Sequence, residues 1–251
     1  MPYPCSTSCG EIGLILHIIL DNVIEYKEDG VFVEVGANDG KTGSFTYNLA
    51  KIGWTGVNIE PVPRLYKECV ENHREHKNVI NLNCGIGEKN EELEIYDAGT
   101  LSTMDEETYV NYKTVGEFKN MCKENEKHLV KVRIMDEVLK EEKIKNLDLL
   151  VIDVEGYEEK VLSGFSIEDY TPKIIIIEIG DQYEDFIKNE KIREKFRRLR
   201  SYLKRHNYSL LVNDVVDNVY VRNNIYSELN NNFKIGIRKL VKYSQFDDSK
   251  I

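Results

Sequence analysis

Apolar positions in this chain fall into short continuous runs separated by longer amphipathic stretches, the pattern of strands and helices taken in turn. Strands are predicted at residues 31–35, 55–59, 79–83, 147–153 and 173–178, with helices near 43–52 and 63–75. The run Ile174-Ile175-Ile176-Ile177 is so continuously apolar that both faces of its strand should be covered. Alternating strands and helices imply a parallel sheet with right-handed crossovers and a ligand beyond the carboxyl ends of the strands. Tyr208–Val212 and Val219–Arg222 read as a closing antiparallel pair around a turn at Asp214–Asn218, which brings the core to seven strands. Glu92–Tyr96 and Val130–Ile134 also alternate as strands. The polar, Ser/Thr/Glu-rich stretch 98–128 between them reads either as a lid or substrate wall over the ligand edge or as a variable surface excursion. The apolar segment Ile12–Ile24 carries His17 and Asp21 and is shorter than the roughly 20 residues of a membrane span. It is predicted to pack on the sheet as a helix, with attachment to a membrane surface as the alternative. No transmembrane segment is expected. The organisation that follows is a helical extension at 1–29, an α/β domain at 30–223 with an insertion near 98–129, and a C-terminal extension at 224–251.

Chemistry concentrates where the first strand ends. Val31-Phe32-Val33-Glu34-Val35 runs into a loop with glycine at 36, 40 and 43, a strand, tight turn and helix start that brings bare backbone N–H groups up to a ligand. Spacing separates the candidates. A dinucleotide loop needs G-x-G-x-x-G, and this loop is G-x-x-x-G-x-x-G. A phosphate loop needs G-x-x-x-x-G-K-[ST], and Gly36 to Gly40-Lys41-Thr42 is one residue short, so it stays as the rival reading. The third pattern, Glu34-Val35-Gly36-Ala37-Asn38-Asp39-Gly40, resembles motif I of the S-adenosylmethionine methyltransferases, where carboxylates face a cationic methionine end. An acidic loop suits a sulfonium and an ammonium better than a triphosphate.

Glu60 supports a nucleoside without naming it. It ends the second strand before Pro61, 24 residues beyond Gly36, near the roughly 20-residue offset at which an acid accepts hydrogen bonds from ribose hydroxyls. The other reading, a solvated acid at a strand end, loses ground once Glu60 is paired with the glycine turn.

Composition excludes more than it selects. The chain has 251 residues, 34 basic and 44 acidic, for a net charge of −10, so a large nucleic-acid footprint is not expected. Residues 191–205 are locally basic, but Phe196, Leu199 and Leu203 form one stripe at helical spacing, so they read as an amphipathic helix with a solvated basic face. The five cysteines, Cys5, Cys9, Cys69, Cys84 and Cys122, are odd in number, unclustered, and follow no secretory signal. They are expected as reduced thiols in the cytoplasm, without a zinc site. No histidine stands in a context that nominates it for chemistry. Nothing in the sequence bears on oligomeric state.

Five stretches together resemble the FkbM family of S-adenosylmethionine-dependent methyltransferases: VFVEVGANDG (31–40), VNIEPVP (57–63), NCGIGEKNEELEIY (83–96), LDLLVIDVEGYEEKVLSG (147–164) and IIIIEIG (174–180). The Asp153-Val154-Glu155-Gly156 element is the most family-specific of them. The resemblance implies a Rossmann-like class I methyltransferase fold, α/β, with a seven-stranded mostly parallel sheet and a C-terminal antiparallel hairpin. It also implies S-adenosylmethionine as cofactor and, as acceptor, an oxygen of a sugar, glycan or other small molecule. A cofactor-binding module of the same fold without catalysis is the alternative. Carried onto this chain, Glu34, Gly36, Asn38 and Asp39 would hold the methionine end and ribose, Glu60 the ribose hydroxyls, Pro61 the adenine slot, and Asn83 and Cys84 the adenine. Ser102 and Thr103 would stand at the mouth.

A sugar hydroxyl attacks a methyl carbon poorly while protonated, so a carboxylate, a histidine or a bound divalent cation must help remove its proton. Asp153 is expected to organise acceptor or cofactor, Glu155 to take the proton, and Glu178 to support them. The same carboxylates offer hard oxygen ligands that suit Mg²⁺, although spacing does not require a metal. Capping of the following helix is the structural alternative for Asp153 and Glu155.

Overall fold

The computed structural model of the protein describes Tyr3 and residues 10–114, 118–120, 122, 127–181, 186 and 188–242. Among these, β1 (Val31–Val35), β2 (Thr55–Ile59) and β3 (Val79–Leu82) lie parallel, joined by the helices Tyr47–Lys51 and Pro63–Asn72. β4 (Gly85–Gly87), β5 (Glu91–Tyr96) and β6 (Lys127–Ile134) follow, then β7 (Leu149–Ile152) and β8 (Ile174–Glu178). β9 (Tyr208–Asn213) and β10 (Asp217–Arg222) complete the set. The main sheet has seven strands in the order β3-β2-β1-β7-β8-β10-β9, with β10 antiparallel to both neighbours. Strand order therefore reverses between β1 and β7, and the crevice that such a reversal opens lies at the carboxyl ends of those two strands.

Alternation along each strand feeds two cores. In β8, Ile175 and Ile177 join one apolar cluster while Ile174 and Ile176 join the other, and in β7 Leu150 and Ile152 part from Leu149 and Val151 in the same way. The first cluster is closed by the helices Met135–Glu141, Glu158–Ser163 and Glu190–Arg205. The second is closed by the helices Gly10–Val23, Tyr47–Lys51 and Asn231–Leu240. The apolar N-terminal run thus buries Ile12, Leu16, Ile19 and Leu20 against the sheet, as its packing pattern predicts.

Three features differ from the sequence reading. β4 is a strand too short to stand out by periodicity, and it joins β5 and β6 in a separate three-stranded sheet, order β4-β6-β5. The stretch after β5 carries a helix the sequence reading did not expect, Glu106–Tyr112, whose Thr108 and Tyr112 lie against the turn after β7. In the basic helix Glu190–Arg205, Arg200 turns inward and is only 6% exposed. Its guanidinium donates to Asp181, to Tyr220 Oη at 2.8 Å and to Asn218 Oδ1 at 2.9 Å. A buried arginine so fully paired locks the end of β8 against β10 and thereby fixes where Glu178 stands.

Candidate active site

The end of β1 must pass very close to the end of β7. Asp153 N donates to Val35 O at 3.0 Å, and Gly36 follows with φ +85°. A Cβ on Gly36 would lie 1.7 Å from the Asp153 carbonyl oxygen, so only glycine fits there. The same constraint recurs at Gly156, φ +92°, where a Cβ would meet Thr108 Oγ1 at 2.1 Å. Two glycines thus bring the motif loop, the acidic turn after β7 and the insertion into one place.

A cleft of about 530 Å³, counting its open mouth, lies along this seam. Gly36, Glu60, Pro61, Cys84, Ser102, Asp153 and Glu155 line it, together with the apolar Leu65, Ile86 and Ile95. The other sequence candidates shape the loop instead of facing the cleft. Glu34 is buried and accepts from Thr46 Oγ1 at 2.6 Å, Ser44 Oγ at 2.8 Å and Phe45 N at 3.1 Å. Its position in β1 points it to the opposite face of the sheet from Val33 and Val35. Asn38, with φ +52°, donates its N–H to Glu60 at 2.8 Å, and Val62 N donates to the other Glu60 oxygen at 2.7 Å. Asn83 Nδ2 donates to the carbonyls of Glu60 and Pro61 at 2.9 and 3.0 Å, so it pins the loop that carries Glu60.

Asp39 accepts from Lys41 N at 2.9 Å and Thr42 N at 2.6 Å. Those are amides a phosphate-binding loop would offer to its ligand, and here a carboxylate already occupies them. His73, which its sequence context did not nominate, also serves the loop: its Nε2 lies 2.7 Å from Gly40 O.

Asp153, Glu155 and Glu178 come together. An oxygen from each carboxylate lies within 4.8 Å of the other two. Desolvation raises the Asp153 carboxyl to about 6; Glu155 stands well above the ordinary carboxylate range through burial and then Asp153, and Glu178 through burial and then Glu155 and Asp153. Three such groups cannot all be ionised in so small a volume unless a proton or cation is shared among them. Glu158, raised to about 7 by burial, and Asp217, raised well above its usual value by burial and Asp214, extend the acidic region.

The insertion supplies Tyr112, which sequence inspection missed, and Ser102 and Thr103, which it expected at the mouth. Tyr112 Oη donates to the Glu155 carboxylate, and Thr103 Oγ1 donates to Glu155 O at 2.6 Å. Ser102 lines the cleft mouth while its hydroxyl donates to Gly99 O at 2.7 Å. The only sequence signal for Tyr112 is an aromatic residue in a polar stretch, and nothing local ties it to a glutamate 43 residues away.

These carboxyls have a consequence for stability. Glu34, Glu60 and Glu158 are raised to about 7 and Asp153 to about 6, mainly by burial. A group with a raised folded pKa binds a proton that the unfolded chain releases near pH 4, so its contribution is full below that value and fades as pH rises through 6 to 7. Asp97 and Asp148 act in the opposite sense. Burial pushes both up, but Arg64 on the first and Lys27 and Lys173 on the second outweigh it and hold them low, so their contribution is lost below about pH 4. The ligand-free protein is therefore expected to be most stable between about pH 4 and 6, and to lose on the order of a few kcal/mol by pH 8. Urea midpoints across that range check this, and a midpoint at pH 8 equal to that at pH 5.5 would refute it.

The profile of the methyltransferase FkbM domain matches residues 34–210. No curated protein matches the chain in sequence. Among solved structures, an O-methyltransferase from Bacillus cereus in complex with SAH is 14% identical, with a TM-score of 0.48 over 88% of this chain and 84% of that one. The precorrin-6y C5,15-methyltransferase from Geobacter metallireducens is 9% identical, with a TM-score of 0.47 over 87% of this chain and 93% of that one. The Aeropyrum pernix fibrillarin, solved with natively bound S-adenosyl-L-methionine, is 13% identical, with a TM-score of 0.44 over 81% and 71%. Overlaps this loose say nothing of chemistry. With the profile match over residues 34–210 and a seven-stranded sheet that is parallel except for the β9–β10 hairpin, the chain belongs to the FkbM methyltransferase family and has its Rossmann-like class I fold.

Proposed function

We propose that the protein is an S-adenosylmethionine-dependent O-methyltransferase acting on a hydroxyl of a sugar, glycan or related small metabolite. The observation that carries this reading is the carboxylate trio of Asp153, Glu155 and Glu178, an oxygen from each within 4.8 Å of the others, beside the open cleft that Gly36 and Glu60 line. The residues present fit the cofactor. Gly36 leaves backbone bare where a Cβ has no room, Glu60 keeps carboxylate lone pairs facing the cleft beside its two backbone donors, and Leu65, Ile86 and Ile95 offer apolar walls to an adenine.

When bound, S-adenosylmethionine supplies a methyl group on a cationic sulfur. Asp153 would favour that charge, and Glu155 would accept the proton of an acceptor hydroxyl presented to it. Partial burial, and then repulsion from Asp153, keep Glu155 basic. A divalent cation held by Asp153, Glu155 and Glu178 is the second reading, supported by the same carboxylate spacing; it would lower the hydroxyl's pKa as a Lewis acid.

The net charge of −10 disfavours an RNA acceptor. Cys69 and Cys84 are buried free thiols, which supports the reading of a reducing, cytoplasmic setting. Among the described residues no helix is long and apolar enough to cross a membrane.

Calorimetry is expected to show S-adenosylhomocysteine binding and no heat with ATP or GTP. Incubating the protein with S-adenosylmethionine and glycans or nucleotide sugars, with and without chelator, is expected to add the mass of one methyl group to an acceptor. Binding without transfer to any acceptor would favour a catalytically silent fold. Nucleotide triphosphate binding without S-adenosylhomocysteine binding would favour the phosphate-loop reading, and loss of turnover with chelator would assign the cation.

A further inference from the structure

The turn of the motif loop is held by the end of one helix. Asn72 closes the helix Pro63–Asn72, and its Nδ2 donates to Asp39 O at 2.8 Å. The next residue, His73, is 3% exposed, and its Nε2 lies 2.7 Å from Gly40 O. Two consecutive side chains thus take the two consecutive carbonyls at which the loop turns. Gly40 has φ +71°, and a Cβ there would meet Cys69 Sγ at 2.5 Å and His73 Cδ2 at 2.8 Å, so the loop sits directly on the ring. A carbonyl only accepts, so a neutral His73 carries its proton on Nε2 and keeps a lone pair on Nδ1. That lone pair faces His76 Nδ1 at 3.0 Å, which therefore carries the proton between them. The edge of Tyr47 packs on both rings, with centroids 5.4 and 5.3 Å away.

We infer that His73 is a positioning residue for the cofactor, its tautomer set by His76, and that Asn72 assists it. The inference rests on the methyltransferase reading above. Neither histidine lines the cleft, and the connection runs through backbone. The loop held at Asp39 and Gly40 carries the Asn38 N–H, which donates to Glu60 at 2.8 Å and so orients a carboxylate that does line the cleft. Without the donor from His73, the loop is released at its turn and the cofactor has to order it on binding, which costs affinity and leaves the carboxylate trio untouched. A ring that only filled space under the loop could be replaced by an apolar side chain of similar size. A ring that acts by donating requires a donor where Nε2 stands. Burial lowers the pKa of both histidines, which favours the uncharged pair that this arrangement uses.

The test is calorimetry of the full chain with S-adenosylhomocysteine. His73→Leu is expected to weaken binding by about 5-fold or more. His73→Gln, whose amide nitrogen stands as many bonds from Cα as Nε2 does, is expected to stay within about 2-fold of wild type. Asn72→Ala, at a half-buried position, should weaken binding by about 3-fold or more. Ring-nitrogen NMR at about pH 8 should find the His76 proton on Nδ1 in the wild type and no longer fixed there in His73→Leu. Equal affinities in the Leu and Gln variants, or a wild-type His76 protonated on Nε2, would overturn the inference alone. If His73→Leu does not fold, wild-type affinity in Asn72→Ala overturns it instead. A wild-type protein that does not bind S-adenosylhomocysteine would overturn the methyltransferase reading, and this inference with it.

Discussion

Gly36→Ala is expected to abolish S-adenosylhomocysteine binding and to destabilise the protein by more than about 3 kcal/mol, through two separable causes. The first is conformational: φ is +85°, a region that costs an L-residue about 1–2 kcal/mol. The second is steric: the new methyl would lie 1.7 Å from the Asp153 carbonyl oxygen, which is backbone and has no rotamer to change. Relief requires β1 and β7 to separate where Asp153 N donates to Val35 O, at the seam that forms the cleft floor. Gly99→Ala is the control. It has φ +68° and nothing within 4 Å of its added Cβ, so it carries the conformational cost alone, about 1 kcal/mol, and should keep the fold. Chemical denaturation of both variants with calorimetry on the folded ones checks the pair, and similar losses in the two would remove the steric argument.

Glu155→Gln is expected to lower kcat by about 10²–10⁴-fold while S-adenosylhomocysteine affinity stays within about 3-fold. Glutamine keeps the volume of glutamate, and its amide oxygen accepts the Tyr112 hydroxyl as the carboxylate does, so the substitution removes basicity with little change of shape. The retained affinity follows because Gly36 and Glu60 are untouched. In the wild type, turnover should rise with pH as the trio gives up its shared protons and then level off, the limb of a base that acts only when deprotonated. The variant should lose that limb. A variant that turns over within about 10-fold of wild type would move the proton acceptor to Asp153 or Glu178, both within 4.8 Å of Glu155.

Much of this architecture is legible in the order of residues alone. Ile174–Ile177 reads as a doubly covered strand, and it lies near the centre of the sheet with alternate side chains in two cores. The glycine spacing after β1 and the acids at the strand ends identify the working edge, because periodicity and turn chemistry are properties of neighbouring residues. The satellite sheet is not legible, since Gly85–Gly87 is too short to show a period and its partner β6 begins some 40 residues later. Arg200 reads with its solvated neighbours, as its inward turn depends on Asp181, Asn218 and Tyr220, which only the packed sheet brings near.

Local pattern along the chain settles the succession of strands and helices, the family, and the candidacy of Asp153, Glu155, Glu178, Gly36 and Glu60. Three-dimensional packing was needed to separate Glu34, Asn38, Asp39 and Asn83, which brace the motif loop, from Gly36 and Glu60, which face the cleft, and to carry Tyr112 to Glu155. The reason is physical: a side chain's partners are set by which strand face it occupies and by what the crossovers carry past it. Those contacts join residues tens of positions apart, where no local pattern records them.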